Sequence, residues 1–388
     1  MVFGGGKVCA AIGGVGTRWY SYVRCYSVVR KPLDVLFFGT DEFSARSLNT
    51  LQKLSLEQPQ LLAKLQLVTR PPKWCGRQHS VLKTPPVIEA YKTGSPLFCD
   101  TRQEMLDVLM PWLKGCSANH DKMLVAVSYG KLIPSELISM ADYSLNVHPS
   151  LLPRYKGSAP IQHALLNGDS MTGVSVQTLH PEKFDRGEVI ARTPEISIDT
   201  LLENATTHEG TWKSDTLIQE LGVVGAALLR DVVVNGSYIP SSDKKVLTTN
   251  DHIYKPSWAP TIKTKDKQVL WQTYTAEHIS TMIAVIGPVY AFKRIQQGKL
   301  RKQKDLFADK RVLFHKIEPV TWPAQLLEPG QFVYDQERKV IRVGCALGTQ
   351  LEVLSLQFEA SPIETSEEFT RKLRKRCGPQ AAELTFFA

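Results

Sequence analysis

The amino-acid sequence predicts an α/β protein with a doubly wound, mostly parallel sheet, followed by a smaller C-terminal β-barrel domain of the OB-like type. Short apolar runs alternate with helical patterns up to residue 234, as in parallel sheets whose strands are joined by helices. Residues 235–260 are polar and contain three prolines, which indicates a linker. Residues 261–388 show only short strands and turns, which favours a small barrel.

The apolar spacing places the individual elements. Residues 34–38 are apolar apart from Asp34 and are followed by Gly39, as expected for a buried strand, and Thr40 or Asp41 can cap the helix that follows. Further strands are predicted at 65–69, 123–128, 145–147, 173–179 and 189–198. Helices are predicted at 86–93, 101–113 and 214–234, with a proline-rich loop at 70–86. The barrel strands are predicted at 269–270, 312–315, 331–334, 340–343 and 351–356.

Composition excludes several classes of protein. The chain has 388 residues, of which 43% are apolar, but it contains no run of 18 apolar residues that could span a membrane. Its seven cysteines include no Cys-x-x-Cys pair, and an odd count argues against a disulfide framework or a structural zinc site. We therefore expect no metal and no membrane association.

The formal charge of +9 is concentrated at the two ends of the chain. Residues 1–31 carry five basic and no acidic residues, which is typical of a mitochondrial transit peptide. A secretory signal or a disordered arm is the alternative, but the apolar stretch at 8–16 is weak and arginines continue after it. Residues 32–260 have a net charge of −2, and residues 261–388 have 20 basic and 14 acidic residues.

Two polar side chains follow one another on the strand that ends near residue 148. Asn146 and His148 are two positions apart, so they project from the same face, and Pro149 should end the strand beside them. Ligands bind at this carboxyl edge in open α/β sheets. A carboxamide and an imidazole there can donate hydrogen bonds to a developing oxyanion. The alternative is that both residues only close a turn.

Asp185 is the candidate carboxylate for the same site. It precedes a predicted strand, and a carboxylate near His148 would hold the imidazole in one tautomer. An Asp close to Gly187 can equally be a turn former, and Asp169 and Glu188 are competing acids.

Five segments together resemble the methionyl-tRNA formyltransferases, specifically the mitochondrial type. They are Phe37–Phe43, Val125–Pro134, Asn146–Ile161, Asn167–Val174 and Phe184–Glu188. The resemblance extends from about residue 33 to about 360, with the same order and spacing. It implies a transit peptide at 1–31, a catalytic domain of formyltransferase-like Rossmann type at 32–234, a linker at 235–260 and a tRNA-binding barrel at 261–388.

The resemblance also implies the reaction and the residues that perform it. A formyl group passes from 10-formyltetrahydrofolate to the amine of methionyl initiator tRNA, and Asn146, His148 and Asp185 form the catalytic trio. The folate lies against Ser128, Tyr129, Gly130, Leu132, Ile133 and Pro134. Arg77 is the main tRNA contact of loop 70–86, with Lys73 and Lys83 as lesser candidates.

The barrel adds a basic patch for RNA. Its members are Lys293, Arg294, Lys299, Arg301, Lys302 and Lys304. A charge run is often only a solvated face, but beside this catalytic domain we interpret it as a contact to the RNA backbone. We expect a monomer in the mitochondrial matrix. The rival interpretations are another 10-formyltetrahydrofolate-dependent enzyme acting on a small amine or water, and a non-catalytic RNA-binding protein.

The sequence departs from the family pattern at a few positions. Lys156 stands where arginine is common, and Ser128 where alanine is usual. Arg186 replaces a small residue beside Asp185, and the segment 201–214 is longer than expected.

Overall fold

The computed structural model describes residues 30–76, 79–205, 212–240, 254–296, 307–320, 325–378 and 384–388. Residues 1–29 of the predicted transit peptide, Arg77, and the four basic residues Lys299, Arg301, Lys302 and Lys304 lie outside these ranges.

The N-terminal part of the described chain is built on one seven-stranded sheet. Its strands and those of two small ladders are β1 Leu33–Gly39, β2 Leu62–Thr69, β3 Lys73–Cys75, β4 Val81–Lys83, β5 Leu97–Phe98, β6 Asp121–Val127, β7 Tyr143–His148, β8 Met171–Thr172, β9 Ser175–Thr178, β10 Val189–Arg192 and β11 Ile196–Ser197. The sheet order is β10-β9-β7-β6-β1-β2-β5. Strands β7, β6, β1, β2 and β5 are parallel, whereas β9 and β10 are antiparallel additions at one edge.

Helices cover both faces of this sheet, which confirms the predicted doubly wound fold. They are α1 Glu42–Glu57, α2 Val87–Ala90, α3 Arg102–Lys114, α4 Ser135–Met140, α5 Pro160–Leu166, α6 Ile198–Asn204 and α7 Lys213–Asn235. Alternate residues of β1 explain the two layers. Val35 and Phe37 pack with α1 and α7, while Leu36 and Phe38 pack with α3 and α4.

Several segments differ from their predictions, and residues 269–270, predicted as a barrel strand, form no strand. The strand predicted at 189–198 is divided, because Pro194 lies between β10 and β11 and cannot donate a ladder hydrogen bond. Within the loop predicted at 70–86, strands β3 and β4 form an antiparallel hairpin that pairs Lys73 with Lys83.

The C-terminal part is an antiparallel sheet with two helices. The elements are α8 Ala276–Ile286, β12 Val289–Gln296, β13 Phe307–Pro319, β14 Phe332–Asp335, β15 Val340–Gly344, β16 Gln350–Phe358, β17 Ile363–Thr365 and α9 Ser366–Cys377. The sheet order is β12-β13-β16-β15-β14, with β17 on β16. The chain end joins the two outer strands, because Phe387 exchanges backbone hydrogen bonds with Phe292 of β12 and the carbonyl of Leu384 accepts from Phe332 of β14. This closure produces the predicted barrel.

The C-terminal end of the predicted linker is bound to the N-terminal part of the chain. We call residues 254–260 the interdomain strap. Its backbone pairs with the loop after β7: the Lys156 N–H donates to the Ser257 carbonyl at 2.9 Å, and Ala259 N–H donates to the Lys156 carbonyl at 2.7 Å. Residues 31–388 form one compact unit. None of the described helices is both long and apolar enough to cross a membrane.

Candidate active site

A cavity of about 700 Å³ opens at the carboxyl end of the parallel strands. One side is formed by the segment 128–133 that follows β6, and the opposite side by residues 177–185 and the end of the interdomain strap. Asn146 and His148, at the end of β7, lie between the two sides. The cavity therefore stands where open α/β sheets bind their ligands.

Asn146, His148 and Asp185 meet in this cavity. The Asn146 Nδ2 lies 3.3 Å from Asp185 Oδ1, and His148 Nδ1 lies 3.4 Å from the same oxygen. The His148 and Asp185 side chains are only 6% and 8% exposed, so their interaction is shielded from water. The structure thus brings together the three residues that the sequence analysis selected.

The backbone around Asp185 directs its side chain to this point. Asp185 has a φ of 51°, in the left-handed region that an L-residue adopts only when its surroundings hold it there. Gly187, two residues on, packs so closely that an added Cβ would lie 1.7 Å from the Thr178 carbonyl oxygen. Only glycine permits this approach, so the loop can return to β9 and aim Asp185 at β7.

The two competing acids are engaged elsewhere. Asp169 forms an ion pair with Arg154 and accepts a hydrogen bond from the Tyr155 hydroxyl at 2.7 Å. Glu188 is exposed, and its backbone pairs with Thr178 at the start of β10. Among the described residues, neither acid lines the cavity.

A backbone carbonyl and Asp185 contact the two ring nitrogens of His148. His148 Nε2 lies 2.9 Å from the carbonyl oxygen of Tyr155. Because a carbonyl oxygen can only accept, Nε2 carries a hydrogen. The other ring nitrogen, Nδ1, lies 3.4 Å from Asp185 Oδ1, so Tyr155 and Asp185 together fix the orientation of the ring. That Asp185 holds the imidazole in one tautomer stays a prediction.

Two further groups hold the Asp185 carboxylate, and sequence reasoning missed both. The Gly157 N–H donates to Oδ2 at 2.8 Å, and Gln177 Nε2 donates to Oδ1 at 2.9 Å. Gln177 stands directly opposite Asn146 in the β7–β9 ladder. A pairing between two strands far apart in sequence leaves no local signal, so the strand pattern could not reveal this neighbour.

Most of the predicted folate-binding residues line the cavity. Ser128, Tyr129, Gly130, Leu132 and Ile133 do so, whereas Pro134 lies just before α4, outside the cavity lining among the described residues. Ser128 and Gly130 have φ values of 49° and 75°, which turn the chain out of β6 and around the cavity. The Tyr129 hydroxyl donates to the Cys99 carbonyl at 2.7 Å, and burial raises the pKa of this phenol well above its usual range. Tyr129 therefore contributes a buried, uncharged ring to this side.

One carboxylate links this segment to the β3–β4 hairpin. Asp100 lies 2.7 Å from Lys73 Nζ, 3.1 Å from Arg70 Nε and 3.5 Å from Lys131 Nζ. The hydrogen bond from Lys73, together with the charge of Lys131 and the hydrogen bond from Arg70, lowers the pKa of Asp100 to about 2. The carboxylate is therefore ionised at neutral pH and stabilises the base of the hairpin.

The predicted basic patch is only partly a surface feature. Lys293 was expected to contact RNA, and this was wrong: its side chain is 0% exposed, because β12 turns it inward with Val289 and Ala291. Arg294 points outward, pairs with Asp309 at 3.1 Å and lies over the Phe387 ring. The remaining four predicted members lie outside the described residues.

Arg186 does not act on Asp185 directly. Its guanidinium lies over the Trp258 ring, 5.0 Å from the ring centroid, and forms no ion pair with Asp185 within the described chain. Trp258 belongs to the interdomain strap, so this contact connects the loop of Asp185 to the strap at the mouth of the cavity. In the ranges that the structure describes, no group of three or more His, Cys, Asp or Glu side chains is arranged to hold a metal ion.

Comparison with known proteins gives the class of this site. Two family models match the chain: Formyl transferase over residues 33–211, and Formyl transferase, C-terminal domain, over residues 261–374. The fold is therefore that of a formyl transferase.

The most similar relatives identify the branch of this class. The chain is 40% identical over 380 residues to the mitochondrial methionyl-tRNA formyltransferase of Saccharomyces cerevisiae, covering 92% of this chain and 93% of that protein. It is 33% identical to the methionyl-tRNA formyltransferase of Caldicellulosiruptor saccharolyticus (70% and 78% covered) and 27% identical to the human mitochondrial one (82% and 73% covered). The chain belongs to the methionyl-tRNA formyltransferase family, mitochondrial type.

A solved structure shares the fold alone. HypX from Aquifex aeolicus superposes with a TM-score of 0.50 at 14% sequence identity, covering 89% of this chain and 48% of that chain. This chain thus spans about half the length of HypX.

Proposed function

We propose that the chain transfers a formyl group from 10-formyltetrahydrofolate to the α-amine of methionyl initiator tRNA. The observation that carries this proposal is the convergence of Asn146, His148 and Asp185 at the carboxyl edge of β7, in a chain with both formyl transferase domains. We assign residues 32–234 to catalysis and residues 261–388 to RNA binding, with the segment 235–260 between them.

The cavity fits a folate. Its side at 128–133 offers backbone N–H and C=O groups next to apolar side chains such as Ala126, Ile133 and Ile138, which suits a flat heteroaromatic ring with polar edges. The folate supplies the formyl carbon as the electrophile. Ser128, Tyr129, Gly130, Leu132 and Ile133 would hold its ring, and Pro134 would act only by directing the chain into α4.

The catalytic side chains act on charge and protons. As the amine nitrogen bonds to the formyl carbon, negative charge develops on the formyl oxygen, and Asn146 and His148, which both line the cavity, would stabilise it. The amine loses a proton and the departing nitrogen of the folate gains one as its bond to carbon breaks. Asp185, whose Oδ1 lies 3.4 Å from His148 Nδ1, is the group that carries this transfer, either directly or through water.

The mouth of the cavity supports an RNA-linked amine rather than a small one. Phe184 and Trp258 are 55% and 58% exposed there, and Lys183, Arg186 and Lys263 surround them. Exposed aromatic rings next to cationic side chains are the combination that stacks unpaired bases and attracts phosphates. A small amine would need neither.

The proposal also covers the cellular location and the oligomeric state of the protein. We propose that residues 1–31 direct the chain to the mitochondrion, as the mitochondrial relatives support, and that the mature protein is a monomer in the matrix. A formyl-transfer assay on methionyl initiator tRNA tests the activity itself. Absence of transfer by the folded protein, with the folate donor present, would contradict the proposal.

Replacing Lys83 with alanine should weaken RNA use without affecting folate. Lys83 is exposed on β4, and removing one phosphate contact should raise the KM for tRNA several-fold and reduce the slope of log affinity against log salt by about one. Steady-state kinetics at several salt concentrations measure both quantities. Lys53→Ala, at the far end of α1 from the cavity, is the matched control and should leave both unchanged. A change confined to the KM for folate would contradict the assignment of the hairpin.

A further inference from the structure

Gln177 is a buried polar residue of the site that is not one of the catalytic trio and has no role assigned so far. It lies on β9, is 1% exposed, and lines the cavity beside Asn146. Its Nε2 donates to Asp185 Oδ1 at 2.9 Å, the shortest of the three approaches to that oxygen. Neither Asn146 nor His148 comes closer than 3.3 Å.

The two ends of the Asp185 carboxylate are thereby held from opposite directions. The Gly157 N–H holds Oδ2, and Gln177 holds Oδ1. With both oxygens held, the carboxylate cannot rotate about its Cβ–Cγ bond. Its Oδ1 therefore stays directed at His148 Nδ1, 3.4 Å away.

Gln177 also leaves Asn146 available for substrate. A carboxylate oxygen that already accepts a 2.9 Å hydrogen bond needs less from a second amide, and the Asn146 contact is correspondingly long at 3.3 Å. The Asn146 carboxamide can then turn a hydrogen toward the cavity without leaving Asp185 unpaired.

The other end of the Gln177 amide points to function rather than to folding. Its Oε1 is buried and accepts no hydrogen bond from any described residue. A buried acceptor without a partner lowers stability, and an apolar side chain of the same size would avoid that cost. Among the described residues, the Nε2–H bond to Asp185 is the hydrogen bond that a methionine at this position would lose.

We infer that Gln177 is a positioning residue for formyl transfer: it orients the Asp185 carboxylate toward His148 and frees Asn146 for the reacting oxygen. The inference rests on the proposed function, because it specifies how the site of that reaction is held in its working geometry.

Paired methionine variants separate this role from a structural one. Gln177→Met in the full-length protein should lower kcat at least tenfold, change the KM for folate and tRNA by less than about twofold, and leave the melting temperature equal or higher. Gln52→Met is the matched control, since Gln52 is also buried but has both ends of its amide satisfied, by the Ala90 carbonyl and the Lys92 N–H. That variant should lower the melting temperature and leave kcat unchanged.

A glutamate variant tests the hydrogen bond within a single folded protein. In Gln177→Glu the introduced carboxyl can donate to Asp185 only when it is protonated, and it repels Asp185 when it is ionised. The ratio of variant to wild-type kcat should therefore rise as the pH is lowered from 8.5 to 6, by up to about tenfold per pH unit while the introduced carboxyl titrates. A packing role would give a ratio that does not depend on pH.

The outcomes distinguish the inference from the proposed function. Active wild-type protein with an equally active Gln177→Met variant, or with a pH-independent ratio for Gln177→Glu, would overturn the inference alone. Wild-type protein without formyl transfer would overturn both.

Discussion

Replacing Asp185 with asparagine should lower kcat for formyl transfer by about 10²–10⁴-fold, the usual contribution of a positioned acid–base group. Asparagine keeps the size of the side chain but cannot hold a proton between itself and His148. His148 Nε2 is already committed to the Tyr155 carbonyl, so the neutral imidazole would have to change its tautomer or give up that bond to donate from Nδ1. Both the stabilising donor and the proton carrier would be lost together.

Single-turnover kinetics on methionyl initiator tRNA measure this effect apart from product release. The KM for folate should change little, because the folate side of the cavity is formed by 128–133, across from Asp185. Glu188→Gln is the matched control, since this exposed carboxylate lies three residues along the same loop and should leave kcat within about twofold. Near-wild-type kcat in Asp185→Asn would remove Asp185 from the mechanism.

Gly157→Ala should lower both the free energy of unfolding and kcat. Gly157 has a φ of 123°, which L-residues rarely adopt, and an added Cβ would lie 2.6 Å from the Ala259 carbonyl oxygen of the interdomain strap. Either the loop or the strap must move, at a cost of at least about 1–3 kcal/mol in the free energy of unfolding. Because the Gly157 N–H holds Asp185 Oδ2, the same displacement should lower kcat at least tenfold; misplacement by about 1 Å can cost 10²-fold.

Gly168→Ala separates the close contact from backbone strain. Gly168 also has a positive φ, 68°, but nothing lies within 4 Å of an added Cβ. Its substitution should cost only about 1 kcal/mol and leave kcat unchanged. Denaturant unfolding and formyl-transfer rates should be measured on both variants. Equal losses of unfolding free energy and of kcat in the two variants would show that the interdomain strap does not support the site.

The part of the site that follows local periodicity could be predicted from sequence. The period of two along β7 placed Asn146 and His148 on one face, and Pro149 marked the end of the strand. The same rule could not exclude Lys293 of β12 as an RNA contact, because both faces of this strand are apolar: Val289 and Ala291 lie on the face of Lys293, and Tyr290 and Phe292 on the other.

The contacts between segments that lie far apart in sequence could not be predicted. Choosing Asp185 over Asp169 and Glu188 required the resemblance, since the left-handed backbone and the close approach of Gly187 are visible only in three dimensions. Gln177 depends on the register of an antiparallel edge strand, in a sheet that the strand–helix alternation predicted as mostly parallel. The pairing of the interdomain strap with the loop after β7 likewise joins segments about 100 residues apart, in a stretch whose composition indicates only a linker.

The central claim is that this site formylates an amino acid esterified to initiator tRNA. The most direct measurement follows a labelled formyl group from 10-formyltetrahydrofolate in the presence of methionyl initiator tRNA, methionyl elongator tRNA or free methionine. We predict rapid labelling of the charged initiator tRNA and much slower labelling of free methionine, which cannot reach the hairpin or the barrel. Labelling of free methionine at the same rate as the charged tRNA, or labelling of none of the three by the folded protein, would contradict the account.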